Sequence, residues 1–285
     1  MLKLAWRNTL RYARHSLAAL GAIAFGTAAL MLSSGFIQWM LISLREHVIH
    51  SQLGHIQVAK QGFRAMGAAN PFAYLLSSVD PTLAALAHAP GVRVASPRLA
   101  FNGLASSGDT TLSFIGEGLD TALEEALNSG LTIRSSEPLS ASDTRGVLVG
   151  SGLAEALRVA PGDRLVLLVN TGSRGVNAVE ATVRGTFSSV AKAYDDAAIK
   201  MPIGLARQLL KVQGFHTMVL LLDHTDDTDA VAASLSPRTQ TAGLELASWS
   251  DLADFYNKTC LLFRSSSAFC VRSSDSLSCC RFPVR

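Results

Sequence analysis

The longest apolar segment of the chain is residues 16–44, which contain no Lys, Arg, Asp or Glu. As a helix this segment is roughly 43 Å long, whereas the hydrocarbon core of a bilayer is roughly 30 Å thick. The pattern therefore predicts a transmembrane helix. The charged residues before it are all basic: Lys3, Arg7, Arg11 and Arg14. Because basic residues are retained on the cytoplasmic side, this asymmetry predicts a cytoplasmic N-terminus and an exported chain after residue 45.

A cleaved signal peptide is the alternative interpretation of this segment. Signal peptides have an apolar core of about 7–15 residues and end in small residues at a cleavage site. Here the apolar run is longer and ends in bulky residues at positions 36–41, among them Trp39. Tryptophan favours the membrane–water interface. The run is therefore more typical of a retained helix than of a signal peptide or a buried core helix.

The N-terminal arm, residues 1–15, has the pattern of an amphipathic helix. Leu2, Trp6 and Leu10 fall on one helical face, and the basic residues fall on the adjacent face. Such a helix lies at headgroup level, with its cations near anionic lipids. We therefore predict that the arm is a cytoplasmic, interfacial helix in contact with membrane lipids.

After residue 45 the apolar residues recur with shorter periods, which predicts many short elements. Residues 45–51 extend the long helix as a stalk, and residues 54–58 alternate as a strand. Further strands are predicted at 92–95, 98–104, 110–116, 146–150, 165–169, 178–187, 198–202 and 218–222. Helices are predicted at 81–89, 119–127, 151–158, 203–210 and 228–236, with a loop at 71–76. The irregular alternation predicts an α+β domain over residues 45–256.

Charge and cysteine content narrow the class of protein. The formal net charge is +3 and the pI is near 8.8, but the excess positive charge lies in residues 1–15 and 260–285. The chain between them is acidic, so the pI does not indicate nucleic-acid binding. All cysteines lie near the C-terminus: Cys260, Cys270, Cys279 and Cys280. The predicted exported domain therefore depends on its hydrophobic core rather than on disulfides.

Gly150-Ser151-Gly152 follows a predicted strand and opens a predicted helix, as nucleotide-binding turns do. The last glycine of that motif and the acidic residue that completes it are missing. A serine nucleophile elbow requires glycine at position 149, which is occupied by Val149. The chain has no Walker A sequence and so cannot hydrolyse ATP alone. The sequence thus predicts no catalytic and no cofactor-binding residues.

Three groups of residues have the chemistry of metal ligands without the required spacing. His47, His50 and His55 cluster after the long helix, but no Cys or acidic residue completes a zinc set at ligand spacing. An acidic segment lacks the glycine and the terminal glutamate of a calcium loop; it comprises Asp223, Asp226, Asp227 and Asp229. The C-terminal cysteines have neither a neighbouring histidine nor CxxC spacing. We therefore predict no metal site and no enzymatic activity.

Several short motifs follow one another in the order found in one family of membrane proteins. Met1–Asn8 reads MLKLAWRN, and Leu53–Val58 reads LGHIQV directly after the long helix. Later motifs are Val147–Gly150 (VLVG), Leu153-Ala154, Leu157, Pro161-Gly162-Asp163, Val183–Phe187 (VRGTF) and Tyr194-Asp195. Together they make residues 1–256 resemble the permease subunits of ABC transporters related to the MacB efflux pump and FtsX. The resemblance is closest to the lipoprotein-releasing (Lol-type) permeases.

The resemblance implies an inner-membrane permease subunit with a porter-like exported domain and a β-rich insertion near residues 110–200. It implies an ABC-type ATPase subunit and a second permease copy or a paralogue as partners, and no nucleic acid. It further implies lipoprotein release as the function, with a lipoprotein as cargo and a periplasmic carrier as its recipient. ATP-driven movement of the membrane helices would then reach the exported domain by conformational coupling.

Residues 257–285 depart from that family, whose members continue with further apolar helices. The segment is rich in Cys, Ser and Arg and shows no helix or strand period. We expect an aberrant or disordered tail here, produced by a shifted reading frame or a truncation near residue 258. Two other functions stay open: a single-pass, FtsX-like interaction or regulatory protein, and MacB-like efflux of a drug or peptide. A secreted binding domain behind a cleaved signal is a further alternative.

Overall fold

The computed structural model describes residues 13–67, 69–123, 132–135, 139, 144–173, 175–189 and 191–267. The chain divides into two compact units. The described part of the first unit is residues 13–45 and 258–267, and the second unit runs from Glu46 to Asn257. The first unit is helical throughout its described residues, and the second contains every described strand.

Helix α1 (Ala13–Val48) is the long apolar helix that the sequence predicts, so the prediction of a helix here is confirmed. Among the described helices, it is the one long and apolar enough to cross a membrane. Its apolar side chains are largely uncovered, since Leu17 is 74% exposed and Phe25 is 78% exposed. Side chains of this size gain about 1.5–3 kcal/mol each when they leave water. The surface of α1 is therefore suited to lipid.

The second unit contains many short elements. Its described strands are β1 (Ile56–Lys60), β2 (Leu76–Ser77), β3 (Val92–Ser107), β4 (Thr110–Leu119), β5 (Thr132–Ser135), β6 (Gly146–Gly150), β7 (Arg164–Asn170), β8 (Val176–Ser188), β9 (Ala198–Pro202), β10 (Gly214–Phe215), β11 (Thr217–Leu222) and β12 (Leu244–Ser248). The helices are α2 (Phe63–Met66), α3 (Pro81–Ala87), α4 (Ser151–Leu157), α5 (Lys192–Asp195), α6 (Ile203–Leu210), α7 (Thr228–Thr241), α8 (Trp249–Leu252) and α9 (Asp254–Ser267), which continues into the first unit. A π-helical turn (Ile49–Leu53) follows α1, and 3-10 turns lie at Pro71–Tyr74 and Thr225–Asp227.

Ten of the described strands form one mixed sheet in the order β12-β1-β11-β3-β4-β9-β6-β8-β5, with β7 paired to both β3 and β8. β4 and β9 run parallel, as do β6 and β8, whereas the other described pairs are antiparallel. The short strands β2 and β10 pair separately. This mixture of parallel and antiparallel strands confirms the predicted α+β class.

The first and last described strands of the second unit are neighbours. β1 follows the long helix directly, and β12 is the last described strand of the unit. The two strands are neighbours in the sheet and pair antiparallel, with Ile56 opposite Ser248. Both ends of the unit therefore lie side by side at one edge of the sheet.

β3 is one continuous strand, where the sequence predicts two strands separated at Pro97. Its first half pairs with β11, and from Arg98 onward it pairs with β4. Pro97 lies opposite Met218 on the β11 side, before the pairing with β4 begins. Proline is tolerated where its missing N–H faces no partner strand. The expected break is therefore absent because the strand changes partners just after the proline.

Two groups of buried side chains form the core of the second unit. The larger group, which we call the large cluster, includes Leu99, Phe101, Phe114, Val147, Leu153, Leu167, Val183, Ile199, Met201 and Leu209. The second group, which we call the edge cluster, includes Ile56, Val58, Leu83, Leu86, Phe215, Leu220, Leu235 and Leu244. β3 contacts both, because Val92 and Ala95 pack on the edge cluster while Leu99 and Phe101 belong to the large one.

Local patterns predict several elements at their observed bounds. β6, β9 and α6 match the predicted segments 146–150, 198–202 and 203–210, and β7 and β8 form the predicted antiparallel pair. The predicted loop at 71–76 instead contains a 3-10 turn and the start of β2. The helix predicted at 119–127 is wrong at Leu119, which ends β4, and residues 124–131 lie outside the described residues.

The beginning of the C-terminal segment is helical. The prediction of a chain without regular structure from residue 257 is wrong for residues 257–267, which belong to α9. Asp254 lies in the first turn of this helix, where a negative charge interacts favourably with the helix dipole. Residues 268–285 lie outside the described residues, so the proposed change of reading frame stays a prediction.

Candidate functional site

The candidate site is the connection between α1 and the sheet, residues 46–57, which we call the junction. Here α1 passes into the π-helical turn, and the last carbonyl groups of a helix lack intrahelical donors. Three donors meet this need: Gly54 N–H bonds the Ile49 carbonyl at 2.8 Å, Lys200 Nζ bonds the Ser51 carbonyl at 3.3 Å, and Gln57 Nε2 bonds the Leu53 carbonyl at 3.0 Å. Helix and sheet are therefore joined by hydrogen bonds as well as by the chain.

Gly54 turns the chain from the helical turn into β1. Its φ is 65° and its ψ is −173°, a combination that is essentially restricted to glycine. A Cβ at this position would overlap the Val219 side chain of β11. The glycine of the LGHIQV motif is thus required both by the backbone angle and by the close approach of the neighbouring strand.

His55 ties the junction to the far end of β11. The Leu222 N–H donates to His55 Nδ1 at 3.1 Å, so the ring proton lies on Nε2. Nε2 then donates to Thr225 Oγ1 at 3.0 Å, and the Thr225 hydroxyl donates to Glu46 Oε2 at 3.1 Å. His55 is completely buried. The chain of bonds runs from the strand, through the ring, to the last turn of α1.

The segment that follows β12, near the C-terminal end of the second unit, also contacts the junction at His55. The Trp249 N–H donates to the His55 carbonyl at 2.9 Å. The Trp249 side chain packs with buried Ile49 of the π-helical turn and with Val219 and Leu221. Its ring also lies edge-on to Tyr256, with 5.4 Å between ring centroids. The segment that follows β12 therefore contacts the segment that precedes β1.

A buried charged cluster lies beneath the π-helical turn. Glu117 of β4 accepts hydrogen bonds from Arg98 Nη1 and from the Tyr194 hydroxyl, each at 2.9 Å. Lys200 Nζ lies 3.7 Å from Glu117 Oε2. Burial alone would raise the pKa of Glu117, but the Arg98 and Lys200 cations and the Tyr194 hydrogen bond lower this pKa below its usual value. Glu117 is therefore ionised at neutral pH.

The structure places the histidines named from the sequence in different roles. His50 Nε2 lies 3.6 Å from Glu46 Oε2, and its ring meets the His55 ring edge-on at 5.9 Å. Both ring nitrogens of His55 already make hydrogen bonds. His47 is exposed. Within the described ranges, no group of three or more His, Cys, Asp and Glu residues is arranged to hold a metal ion.

The two other sequence candidates lie away from the junction chemistry. At the glycine pair before and within α4, a Cβ on Gly150 would overlap the Asp195 carbonyl, and one on Gly152 would overlap the Asp196 carboxylate. A carboxylate of the chain itself therefore occupies the space at the start of α4. A nucleotide-binding turn would hold a phosphate in that space. The acidic residues of the calcium-loop candidate are exposed: Asp223, Asp226, Asp227 and Asp229.

Sequence reasoning missed the charged cluster altogether. Lys200 is the one charged residue in the segment AIKMP, and the whole residue is 0% exposed. A lysine flanked by Ile199 and Met201 in a buried strand is unusual, because lysine is almost never fully buried unless it is paired. This single lysine in an apolar segment was the sequence signal from which a buried acidic partner could have been predicted.

Comparison with known proteins identifies the family. Residues 16–238 match the family described as the MacB-like periplasmic core domain. The chain belongs to this family. It is thus a relative of the MacB/FtsX-like ABC transporter permeases, as the sequence motifs predict. Membership implies an ABC ATPase partner and pairing of permeases, and together with α1 it indicates a membrane-anchored protein.

Two solved structures are similar to the chain. The periplasmic region of MacB from Actinobacillus actinomycetemcomitans has a TM-score of 0.50 at 10% identity, covering 74% of this chain and 95% of that one. The extracellular domain of the ABC-type transporter YknZ from Gram-positive bacteria has a TM-score of 0.49 at 11% identity, covering 68% and 100%. At such identities the MacB structure shows a shared fold alone. No curated protein sequence matches the chain.

Replacing Gly54 by alanine tests the junction geometry. We expect Gly54→Ala to lower the free energy of unfolding by about 2–4 kcal/mol, because backbone strain and overlap with Val219 add. Gly243→Ala is the matched control, since Gly243 has a φ of 66° but no atom within 4 Å of its Cβ position. It should cost only about 1 kcal/mol. Equal losses in denaturant unfolding would contradict the close approach of β11.

Neutralising Glu117 tests the charged cluster. We expect Glu117→Gln to lower the free energy of unfolding at pH 7 by about 3 kcal/mol, because the buried cations lose their carboxylate. Since the folded state lowers the pKa of Glu117, this stabilisation is complete above the ordinary glutamate pKa of 4.5 and declines as the pH falls further. The difference between the two proteins should shrink accordingly in urea titrations.

Glu180→Gln is the matched control for that experiment. Glu180 pairs with Arg164 at 3.2 Å, but both side chains are largely exposed. An exposed pair contributes about 0–1 kcal/mol. A loss at Glu117 no larger than the loss at Glu180 would show that the Glu117 carboxylate does not stabilise the buried cations.

Proposed function

We propose that the chain is a permease subunit of an ABC transporter that releases lipoproteins from the bacterial inner membrane. The observation that carries the proposal is the pairing of β1 with β12, which places both ends of the second unit at one edge of the sheet. A domain attached at adjacent positions is suited to following the movement of membrane helices. The family supports a transporter, and the LGHIQV motif supports its lipoprotein-releasing branch.

We propose that the N-terminal arm is cytoplasmic and that the second unit lies in the periplasm. The basic residues of the arm and the charge-free run after it support this orientation. Membrane lipids then surround α1, whose apolar side chains are exposed. Within the second unit we propose a β-rich insertion near residues 110–200, flanked by the porter-like part. The large cluster, drawn from residues 99–212, supports this division.

In this proposal the chain supplies movement rather than catalysis. A separate ATPase hydrolyses ATP, and a second permease copy or a paralogue completes the membrane part. The cargo is a lipoprotein, which passes to a periplasmic carrier. Conformational coupling requires a firm connection between helix and sheet. The hydrogen bonds made to the junction by Lys200, Gln57 and Trp249 supply such a connection.

Cysteine labelling tests the proposed orientation. The four native cysteines are replaced by serine, and single cysteines are then introduced as labels. Val79→Cys should react with a membrane-impermeant maleimide in intact spheroplasts, because Val79 is 85% exposed in the second unit. Thr9→Cys in the arm should react only after the membrane is permeabilised. The reverse pattern would show that the N-terminus lies outside the cytoplasm.

Co-expression with any ABC ATPase whose gene neighbours that of this chain tests the transporter. The tagged chain, purified in nanodiscs, should retain that ATPase and change its rate of ATP hydrolysis. An unrelated ABC ATPase from the same membrane is the control and should not be retained. If the neighbouring ATPase does not associate either, the role as a permease subunit is wrong.

Release assays test the cargo. Spheroplasts containing the chain and its ATPase should release a lipoprotein to a purified periplasmic carrier, and ATP depletion should stop the release. Efflux of a drug or peptide without lipoprotein release would support the MacB-like alternative instead. Binding of a cell-wall enzyme without any transport would support the FtsX-like alternative.

A further inference from the structure

The junction is bonded to two separate regions of the second unit. Its first attachment is the chain of hydrogen bonds from Glu46 through Thr225 to His55, at the end of β11. Strand β11 contributes Leu220 and Leu222 to the edge cluster. The second attachment is Lys200, whose strand β9 contributes Ile199 and Met201 to the large cluster. The helix end thus contacts both cores through polar side chains.

Lys200 makes the contact between the π-helical turn and the large cluster. Its Nζ donates to the Ser51 carbonyl at 3.3 Å and lies 3.7 Å from Glu117 Oε2. It also lies 5.8 Å from the centre of the Phe187 ring. The ammonium group therefore connects one carbonyl of the junction with a carboxylate of β4 and an aromatic side chain of β8.

A charge is not required to fill this position in the strand. The neighbours of Lys200 in β9 are apolar and buried, and an unbranched apolar side chain such as methionine could occupy the same space. Replacing all members of a buried ion pair by apolar residues is often neutral for stability, and in Lys200→Met the Glu117 carboxylate keeps its hydrogen bonds from Arg98 and Tyr194. The specific partner here is a backbone carbonyl at a helix end, where a cation also interacts favourably with the helix dipole.

We propose that Lys200 is a positioning residue that transmits displacement of the π-helical turn to β9 and β4, and through them to the large cluster. The inference rests on the proposed function, since a transporter needs this coupling. A donor–acceptor distance of 3.3 Å is close to the limit for a hydrogen bond, so a shift of about 1 Å breaks the bond. Lys200 and Glu117 must then rearrange, which links the position of the helix end to the strands beneath it.

Hydrogen exchange on the full chain in nanodiscs tests this role. In Lys200→Met, amides in the π-helical turn should exchange roughly tenfold faster than in the unaltered chain, because the bond to Ser51 is lost. Exchange in α7, whose Leu235 belongs to the edge cluster rather than to the large cluster, should be unchanged. Lys192→Met is the matched control, because Lys192 is an exposed lysine of the same unit that pairs with Asp196 on the surface. It should leave both segments unchanged.

Two results would overturn the proposal. Unchanged exchange in the turn would show that Lys200 does not hold it. An equal increase in the turn and in α7 would show that Lys200 only stabilises the domain. Neither measurement involves an ATPase or a lipoprotein, so failure here is distinguishable from failure of the proposed transport.

A second variant keeps the test decisive if Lys200→Met does not fold. His50→Gly loosens the π-helical turn without altering Lys200, and coupling between two sites is reciprocal. Exchange in β9 should therefore rise several-fold, with α7 unchanged. Ala233→Gly, at an exposed position of α7, is the control for a helical glycine and should leave β9 unchanged. Unchanged exchange of β9 in His50→Gly would also overturn the proposal.

Discussion

The carbonyl groups at the end of the long helix need hydrogen-bond donors from elsewhere, and the domain is arranged to provide them. Gly54 N–H closes the π-helical turn itself, and the donors from the sheet are the amide of Gln57 and the ammonium of Lys200. Lys200 is separated from Ser51 by 149 positions in the chain. The helix end is therefore completed only when β1 and β9 are both in place. The bonds at the helix end therefore form only when the sheet is folded.

Much of the fold can be predicted because its elements carry their own local patterns. α1 is defined by composition, and β6, β9 and α6 are short apolar segments with clear boundaries. The domain type follows from the order of such segments together with the LGHIQV motif. The glycine of that motif also has a physical meaning in the structure, because it makes room for Val219.

The charged cluster could not be predicted because it depends on strand pairing across long separations. Glu117 and Lys200 meet through the parallel pairing of β4 with β9, in which they are direct neighbours. Tyr194 reaches Glu117 from 77 positions away. Each residue alone suggests an ordinary strand or loop. The predicted break in β3 has a related cause. Pro97 interrupts the local strand pattern, and only the change of partner strand explains why the pairing continues.

β3 has a mechanical consequence that follows from its length. A strand of sixteen residues is roughly 50 Å long, and it packs on the edge cluster at one end and on the large cluster at the other. It is paired with β11 and then with β4 along nearly all of its length, which restricts its bending. A tilt of about 5° at the end beside β11 would move the opposite end by roughly 4 Å over such a length. The strand would act as a lever arm that converts a small rotation at its β11 end into a larger displacement at the end that pairs with β7.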